Sequence, residues 1–316
     1  MIKLLIMGES LVEIMRDQVD IPLGIPGIFR GPYPSGAPAI CASAAARLGC
    51  ETALISGVGD DDFGKCITDR LKNDGVDISH VLVDPEISTG CAFVTYFSDG
   101  SRKFIFHMGN TPAVKAKAPE IEDFPDLEIM HVMGCSLMAE AGFAQEILKT
   151  IRKASGAGAR ISFDPNIRKE LLTGYQTGSV LKEVMNYTSI FLPGKDELMS
   201  VTGTSSVEKA VSECFGYPRM EMVLLKNGSA GSTLFLRTGE RKDFPAFHIQ
   251  QIDATGAGDC YDGAFLAGFL SGKPLDQAVK MASAAGALNA SAYGPMEGNI
   301  SLLSIEKIRL FVHDHG

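Results

Sequence analysis

Short apolar runs alternate with helix-length segments along most of this chain, and that alternation restricts it to a largely parallel sheet covered by helices on both faces. Lys3 to Met7 reads as a buried strand that stops at Gly8, and Leu11 to Met15 continues in extended form. Ala37 to Leu48 is a small-residue helix closed by Gly49. Thr52 to Gly57 is the next strand, and Phe63 to Asn73 is an amphipathic helix that Gly75 terminates. The pattern resumes with strands at Ile129 to Met133, Ala159 to Phe163, Ser189 to Leu192 and Met222 to Lys226. Helices are expected at Ala141 to Ala154, Val207 to Phe215, 260–270, 275–291 and 304–312, with a hairpin around Gly239.

Two stretches break the alternation. Ile21 to Pro34 is too rich in Pro and Gly to be helical. Cys91 to Phe97 and Arg102 to His107, joined by Ser98-Asp99-Gly100-Ser101, read as a β-hairpin. Strand periodicity puts Arg102, Phe104 and Phe106 on one face and Lys103, Ile105 and His107 on the other. Neither stretch is apolar enough to fold alone, so both are expected to form a small β-layer resting on the main body, a substrate or a partner subunit. The chain therefore reads as one domain over 1–316 with a discontinuous lid at about 11–34 and 88–109.

Composition excludes several classes of function. The net charge is −9, and the 29 Lys and Arg residues are scattered, so no basic stripe suggests nucleic acid or a membrane surface. Seven cysteines, an odd number with no Cys-x-x-Cys, fit a reducing compartment better than a disulfide framework or zinc site. No run of about twenty apolar residues is present. Residues 2–7 are too short for a signal sequence. A cytoplasmic protein without a membrane span is expected.

The segment Asp253-Ala254-Thr255-Gly256-Ala257-Gly258-Asp259 carries the strongest chemical signal. Gly256 and Gly258 allow a sharp turn and leave backbone N–H groups open to an anion, and a helix start favours negative charge. Asp259 would repel phosphate, but it has a use as the acceptor of a hydroxyl proton beside a phosphoryl group. The plainer reading is a capped helix after a tight turn.

Asp164-Pro165-Asn166-Ile167-Arg168 follows a strand, which puts it at the carboxyl edge of the sheet, where ligands bind. Arg168 offers a planar fork for carboxylate or phosphate, or is simply solvated. Glu13 either faces a cleft and holds sugar hydroxyls or is a solvated acid. Ser35-Gly36-Ala37-Pro38-Ala39 allows close backbone approach or only starts a tightly packed helix. Lys226-Asn227-Gly228-Ser229-Ala230-Gly231 is a turn that either touches phosphate or closes a hairpin. Asp196 and Glu197 either position Mg²⁺ through water or favour a helix dipole. His107 and His131 receive no metal role. A Lys-bearing phosphate loop is absent from the sequence.

Together these residues resemble the ribokinase-like, or pfkB-type, carbohydrate kinases. The likeness runs from Gly8-Glu9-Ser10-Leu11-Val12-Glu13 to Tyr293-Gly294-Pro295. Between them lie Gly36-Ala37-Pro38-Ala39 with Ala46-Arg47-Leu48-Gly49, then Gly57-Val58-Gly59-Asp60 with Phe63-Gly64, then Asp99-Gly100 with Arg102. Asp164-Pro165-Asn166, Lys226-Asn227-Gly228 with Gly231, and Asp253 to Asp259 complete the order.

The resemblance implies a three-layer α/β/α sandwich with a mostly parallel central sheet and a small β-sheet lid, through which a homodimer forms. It implies ATP, Mg²⁺ and a monovalent cation such as K⁺ as cofactors. Asp259 would be the general base, with Gly256, Ala257, Gly258 and the Asp259 amide shaping an anion hole. Glu13, Gly36, Ala37, Arg102, Phe104, Phe106, Arg168 and Asp259 would bind the carbohydrate. Asn166, Lys226, Gly228, Gly231, Gly256, Gly258 and Ser283 would serve the nucleotide, and Glu197 the metal. Three positions depart from the family pattern: Ser35 replaces a Gly, while Ile40 and Gly194 each replace an Asn. The substrate implied first is 2-keto-3-deoxygluconate, through Arg168, with fructose or another ketohexose as the alternative. A catalytically weak sugar-binding sensor is the alternative of another class.

Overall fold

The computed structural model describes residues 1–168, 170 and 177–313. In chain order its strands are β1 (Leu4–Met7), β2 (Leu11–Arg16), β3 (Phe29–Ser35), β4 (Thr52–Gly59), β5 (Val81–Asp84), β6 (Cys91–Tyr96) and β7 (Arg102–His107). They continue with β8 (Ile129–Met133), β9 (Arg160–Asp164), β10 (Thr188–Phe191), β11 (Met222–Lys226), β12 (Ser232–Leu236) and β13 (Arg241–Phe244). The helices are α1 (Ala37–Arg47), α2 (Asp62–Asp74), α3 (Gly134–Ala139), α4 (Ala141–Gly156) and α5 (Thr177–Tyr187). After these come α6 (Lys195–Thr202), α7 (Val207–Phe215), α8 (Ala257–Leu270), α9 (Leu275–Ala290) and α10 (Leu302–His313).

The large sheet has the order β13-β12-β11-β10-β9-β8-β1-β4-β5. Every pair from β5 across to β11 is parallel, and β12 and β13 close one edge as an antiparallel hairpin. Alternation along β1 shows why both faces need helices. Leu4 and Ile6 enter one apolar core with α1, α8 and α9, while Leu5 and Met7 enter the other with α4 and α5. A strand buried on both faces has no room for the polar-out pattern of a half-exposed sheet.

The second sheet has the order β3-β2-β6-β7. The expected hairpin is its outer half, with register running from Cys91↔His107 to Tyr96↔Arg102. The Pro/Gly-rich excursion also contributes: β3 pairs antiparallel with β2 despite Gly31, Pro32 and Pro34. It lies at the sheet edge, where a proline without an N–H breaks no ladder on its free side.

The helix carrying the Gly-rich segment starts earlier than the sequence pattern suggests. α8 begins at Ala257, not Cys260, so Ala257, Gly258 and Asp259 form its first turn. Gly256 is the N-cap residue at a left-handed φ of 73°, and a Cβ there would lie 2.2 Å from the Pro295 carbonyl oxygen. Only glycine fits that position. The first-turn amides of a helix lack partners inside it, so residues 257–259, placed just before the helix from the sequence, are its N-terminal turn. Among the described residues no helix is long and apolar enough to cross a membrane.

Candidate active site

In a parallel sheet all carboxyl ends open on one edge, and here that edge gathers the polar residues. Glu9 follows β1, Asp164 ends β9, Gly194 follows β10 and Lys226 ends β11. Above them is a cavity of about 320 Å³. The small sheet covers it with Arg102, Phe104 and Phe106 from β7, the face expected from strand periodicity, while Glu13 of β2 and Gly36 and Ala37 at the start of α1 form a wall. Asn166, Arg168, Gly256, Gly258 and Asp259 line the floor.

A second cavity of about 310 Å³ lies on the other side of the α8 terminus. Gly228, Gly231, Ala257, Gly258 and Ser283 line it, with Phe247 and Tyr261 as apolar walls. Lys226, Gly228, Ala254 and Gly258 belong to both linings. The two cavities therefore meet at the first turn of α8, where unpaired amides and the helix dipole favour an anion. One amide differs from expectation: the Ala257 N–H donates to the Ala254 carbonyl at 3.3 Å, which leaves Gly258 and Asp259 as the open donors.

Asp259 is buried at this junction, and Asn166 Nδ2 donates to its Oδ1 at 2.9 Å. Burial pushes its pKa up to about 6, opposed by the Arg168 guanidinium. It stays ionised at neutral pH while holding its proton affinity closer to that of a working base. Glu13 is pushed up to about 7, chiefly by burial and then by Asp253, with Arg168 and Arg102 pulling down. Glu13 Oε2 and Asn166 Oδ1 are buried acceptors with no hydrogen-bond partner among the described residues. Both residues line the first cavity, so it offers unmatched acceptors to a ligand rich in hydroxyl donors. Asn166, assigned to the nucleotide from the sequence, sits in this first cavity beside Asp259 and does not line the second.

Lys226 is tied to two buried carboxyls. Its ammonium donates to Asp164 Oδ2 at 2.9 Å and to Asp262 Oδ2 and Oδ1 at 2.9 and 3.1 Å. Burial alone would raise Asp164, but Lys226 and a hydrogen bond from Asp262 hold it below the usual range. Asp262 is driven well up by burial, against the pull of Lys226. The two carboxyls thus move in opposite directions beside one ammonium. Asp262 was not singled out from the sequence. The available signal was its spacing, since residues three apart on a helix share a face and Asp259 precedes it by three.

Glu197 was expected at a metal. Its Oε1 and Oε2 each accept a backbone N–H at 2.8 Å, from Ile167 and Gly194. A Cβ on Gly194 would sit 3.1 Å from Oε2, close to this fold-back. No group of three or more His, Cys, Asp or Glu residues suited to a metal ion occurs among the described residues. One carboxylate beside an anion cradle fits Mg²⁺ held largely by phosphate oxygens and water, which is how that ion usually binds.

The chain matches the family described as pfkB family carbohydrate kinase over residues 31–301. It is 32% identical over 298 residues to Fructokinase-1 of Oryza sativa subsp. japonica, covering 91% of each chain. Fructokinase-1 of Zea mays is 31% identical over 302 residues, again with 91% of each chain covered. Among solved structures, one named "putative Ribokinase II" from E. coli aligns over 100% of both chains at 36% identity with a TM-score of 0.91, both in apo form and in complex with ATP and Mg²⁺.

Removing Lys226 tests the charge cluster. Lys226→Met leaves Asp164 and Asp262 buried together without their cation, a loss of about 3–5 kcal/mol. Both carboxyls then have folded-state pKa values above the unfolded one, so the variant's stability falls as pH rises above about 4. Urea unfolding at pH 5 and pH 8 should show a larger deficit at pH 8. Equal deficits at both pH values would refute the ion cluster.

Proposed function

The chain belongs to the pfkB family of carbohydrate kinases and has their ribokinase-like α/β fold, and from that premise we propose that it transfers the γ-phosphoryl group of ATP to a primary hydroxyl of a ketohexose such as fructose. The observation that carries this reading is the meeting of two cavities at the first turn of α8, with a buried, ionised Asp259 at the junction. The first cavity takes the sugar, whose hydroxyls satisfy the open acceptors of Glu13 and Asn166. The second takes the nucleotide against Gly228, Gly231, Ser283 and the apolar walls.

Asp259 accepts the proton of the acceptor hydroxyl. The amides of Gly258 and Asp259 and the nearby Lys226 ammonium stabilise negative charge on the phosphoryl group, donors already in place before reaction. Mg²⁺ near Glu197 would supply charge neutralisation on the phosphates. The small sheet excludes water and holds the reactants together, which lowers the barrier by positioning. Its outward side exposes Ile105, and Val19, Ile25 and Ile28 are exposed on the chain between β2 and β3, which supports a homodimer through this layer.

The sugar acid ranked first from sequence becomes the second reading, because the relatives at 31–32% identity are fructokinases. One observation still favours an acid. Arg102 and Arg168 each place a guanidinium 5.9 Å from the Phe104 ring centre, so two cations flank one side of the sugar cavity.

ADP release with Mg²⁺ and K⁺ present, measured against ketohexoses, aldopentoses, nucleosides and 2-keto-3-deoxy acids, should show turnover of fructose. Sugar binding without any turnover would favour a sensor instead. In the active protein kcat falls as pH drops through about 6, where Asp259 takes up its proton. Asp259→Asn should lower kcat roughly 10²–10⁴-fold with ATP binding retained. Near-normal kcat in the folded variant would remove Asp259 as the base.

Arg168→Ala separates the two substrate classes. Truncating one partner of a desolvated charge pair costs about 2–5 kcal/mol, so a carboxylate held by Arg168 predicts a much larger rise in KM for a keto-acid than for fructose. The ketohexose reading predicts similar losses of kcat/KM for both. A loss confined to the acid would restore the acid reading.

A further inference from the structure

Two side chains of the small sheet reach the loop that carries the anion-binding helix. Tyr96 and Arg102 face each other as the β6–β7 register pair nearest the hairpin turn. The Tyr96 phenol shares a hydrogen bond with the Thr255 hydroxyl at 2.8 Å, and Arg102 Nη1 donates to the same oxygen at 3.3 Å. Thr255 is buried and immediately precedes Gly256. Its main chain is tied to the body: the N–H donates to Asp253 Oδ1 at 2.9 Å, and the carbonyl accepts from Asn289 Nδ2 at 2.8 Å. Its hydroxyl faces the small sheet.

The neighbouring geometry leaves little freedom to absorb movement at Thr255. Gly256 holds its left-handed conformation with the Pro295 carbonyl in the space a Cβ would fill. Asp253 ties the two adjoining loops, because its Oδ2 accepts the Gly294 N–H at 3.0 Å. Next to Gly294, the Tyr293 ring meets Tyr33 of β3 edge-on at 6.0 Å. The small sheet therefore touches both loops that shape the start of α8. Burial first, and the negative charge of Asp253 second, keep the Tyr96 phenol protonated, so its hydrogen bond persists across the working pH range. Tyr96 is absent from the linings of both cavities.

We propose that Tyr96 is a positioning residue: through the Thr255 hydroxyl it couples closure of the small sheet over the acceptor to placement of the Gly258 and Asp259 amides. This inference rests on the kinase reading given above. The sugar beneath the sheet and the phosphoryl group at α8 are thereby brought into register through the Thr255 hydroxyl. A hydrogen bond that matters for alignment should appear in kcat, while sugar affinity depends on Glu13, Asn166 and the β7 face.

The test is a double-mutant cycle of Tyr96→Phe, Thr255→Val and the combined variant, assayed with MgATP and fructose or whichever panel acceptor the wild-type enzyme turns over. Each single variant should lose roughly 3–10-fold in kcat, the range of one net hydrogen bond, with acceptor KM changed by less than about 2-fold. The double variant should be no slower than the slower single one. Unchanged kcat in Tyr96→Phe, additive losses, or losses confined to acceptor KM would overturn the coupling. A second measurement does not depend on turnover. In the ligand-free protein, Tyr96→Phe should speed hydrogen exchange at the Thr255 and Cys260 amides, which donate to Asp253 and Gly256. If no acceptor is turned over, the kinase reading fails, and unchanged exchange at those amides refutes the contact's role separately.

Discussion

A lysine at the end of one strand, a carboxylate at the end of another and a carboxyl in a helix meet without water between them, and the site depends on that meeting. Lys226 joins β11 to β9 through Asp164 and joins both to α8 through Asp262. Charged and polar groups removed from water are costly unless each is matched, and the matched set fixes α8 against the sheet edge. That orientation aims the first-turn amides at the junction of the two cavities. The same ammonium would lie 4.0 Å from a Cβ on Gly258, so the group that anchors the helix also supplies positive potential where phosphate would approach.

Four acidic residues around this edge illustrate how environment divides their work. Lys226 holds Asp164 below the usual carboxylate range, while burial drives Asp262 well above it. Asp259 lies beyond direct contact with that lysine and is moderated instead by Arg168 and the Asn166 amide, so burial brings it to about 6. Glu13, farther out beneath the small sheet, reaches about 7. A base that is ionised at neutral pH but not strongly stabilised as an anion suits proton transfer from a sugar hydroxyl. Stronger pairing of Asp259 with a cation would have lowered that capacity.

Much of the architecture was legible because the governing signals are local. The strand Met222–Lys226 and the helix Val207–Phe215 have the limits that their apolar spacing indicates. The face of β7 bearing Arg102, Phe104 and Phe106 follows from period two alone. Where the reading fell short, distant residues decided the outcome. The helix expected from Cys260 starts three residues earlier, at Ala257, because first-turn amides need no internal partners and Gly256 is held by Pro295 from a later loop. Asp262 sits among Tyr261, Ala264 and Phe265, and Lys226 and Asp164, far off in sequence, explain a carboxyl in such company. Glu197 turns back on Gly194 and Ile167 because those amides face it, a contact that spacing alone would not distinguish from metal binding.

The central claim is that acceptor and nucleotide meet at the first turn of α8 beside Asp259. A crystal structure with MgADP, a fluoroaluminate mimic of the transferring phosphoryl group and fructose tests it most directly. The account predicts the mimic within hydrogen-bond distance of the Gly258 and Asp259 amides, the adenine in the cavity near Ser283, and a sugar primary hydroxyl on the Asp259 carboxylate. A mimic seated away from the α8 terminus, or a sugar whose hydroxyls do not reach Asp259, would contradict it.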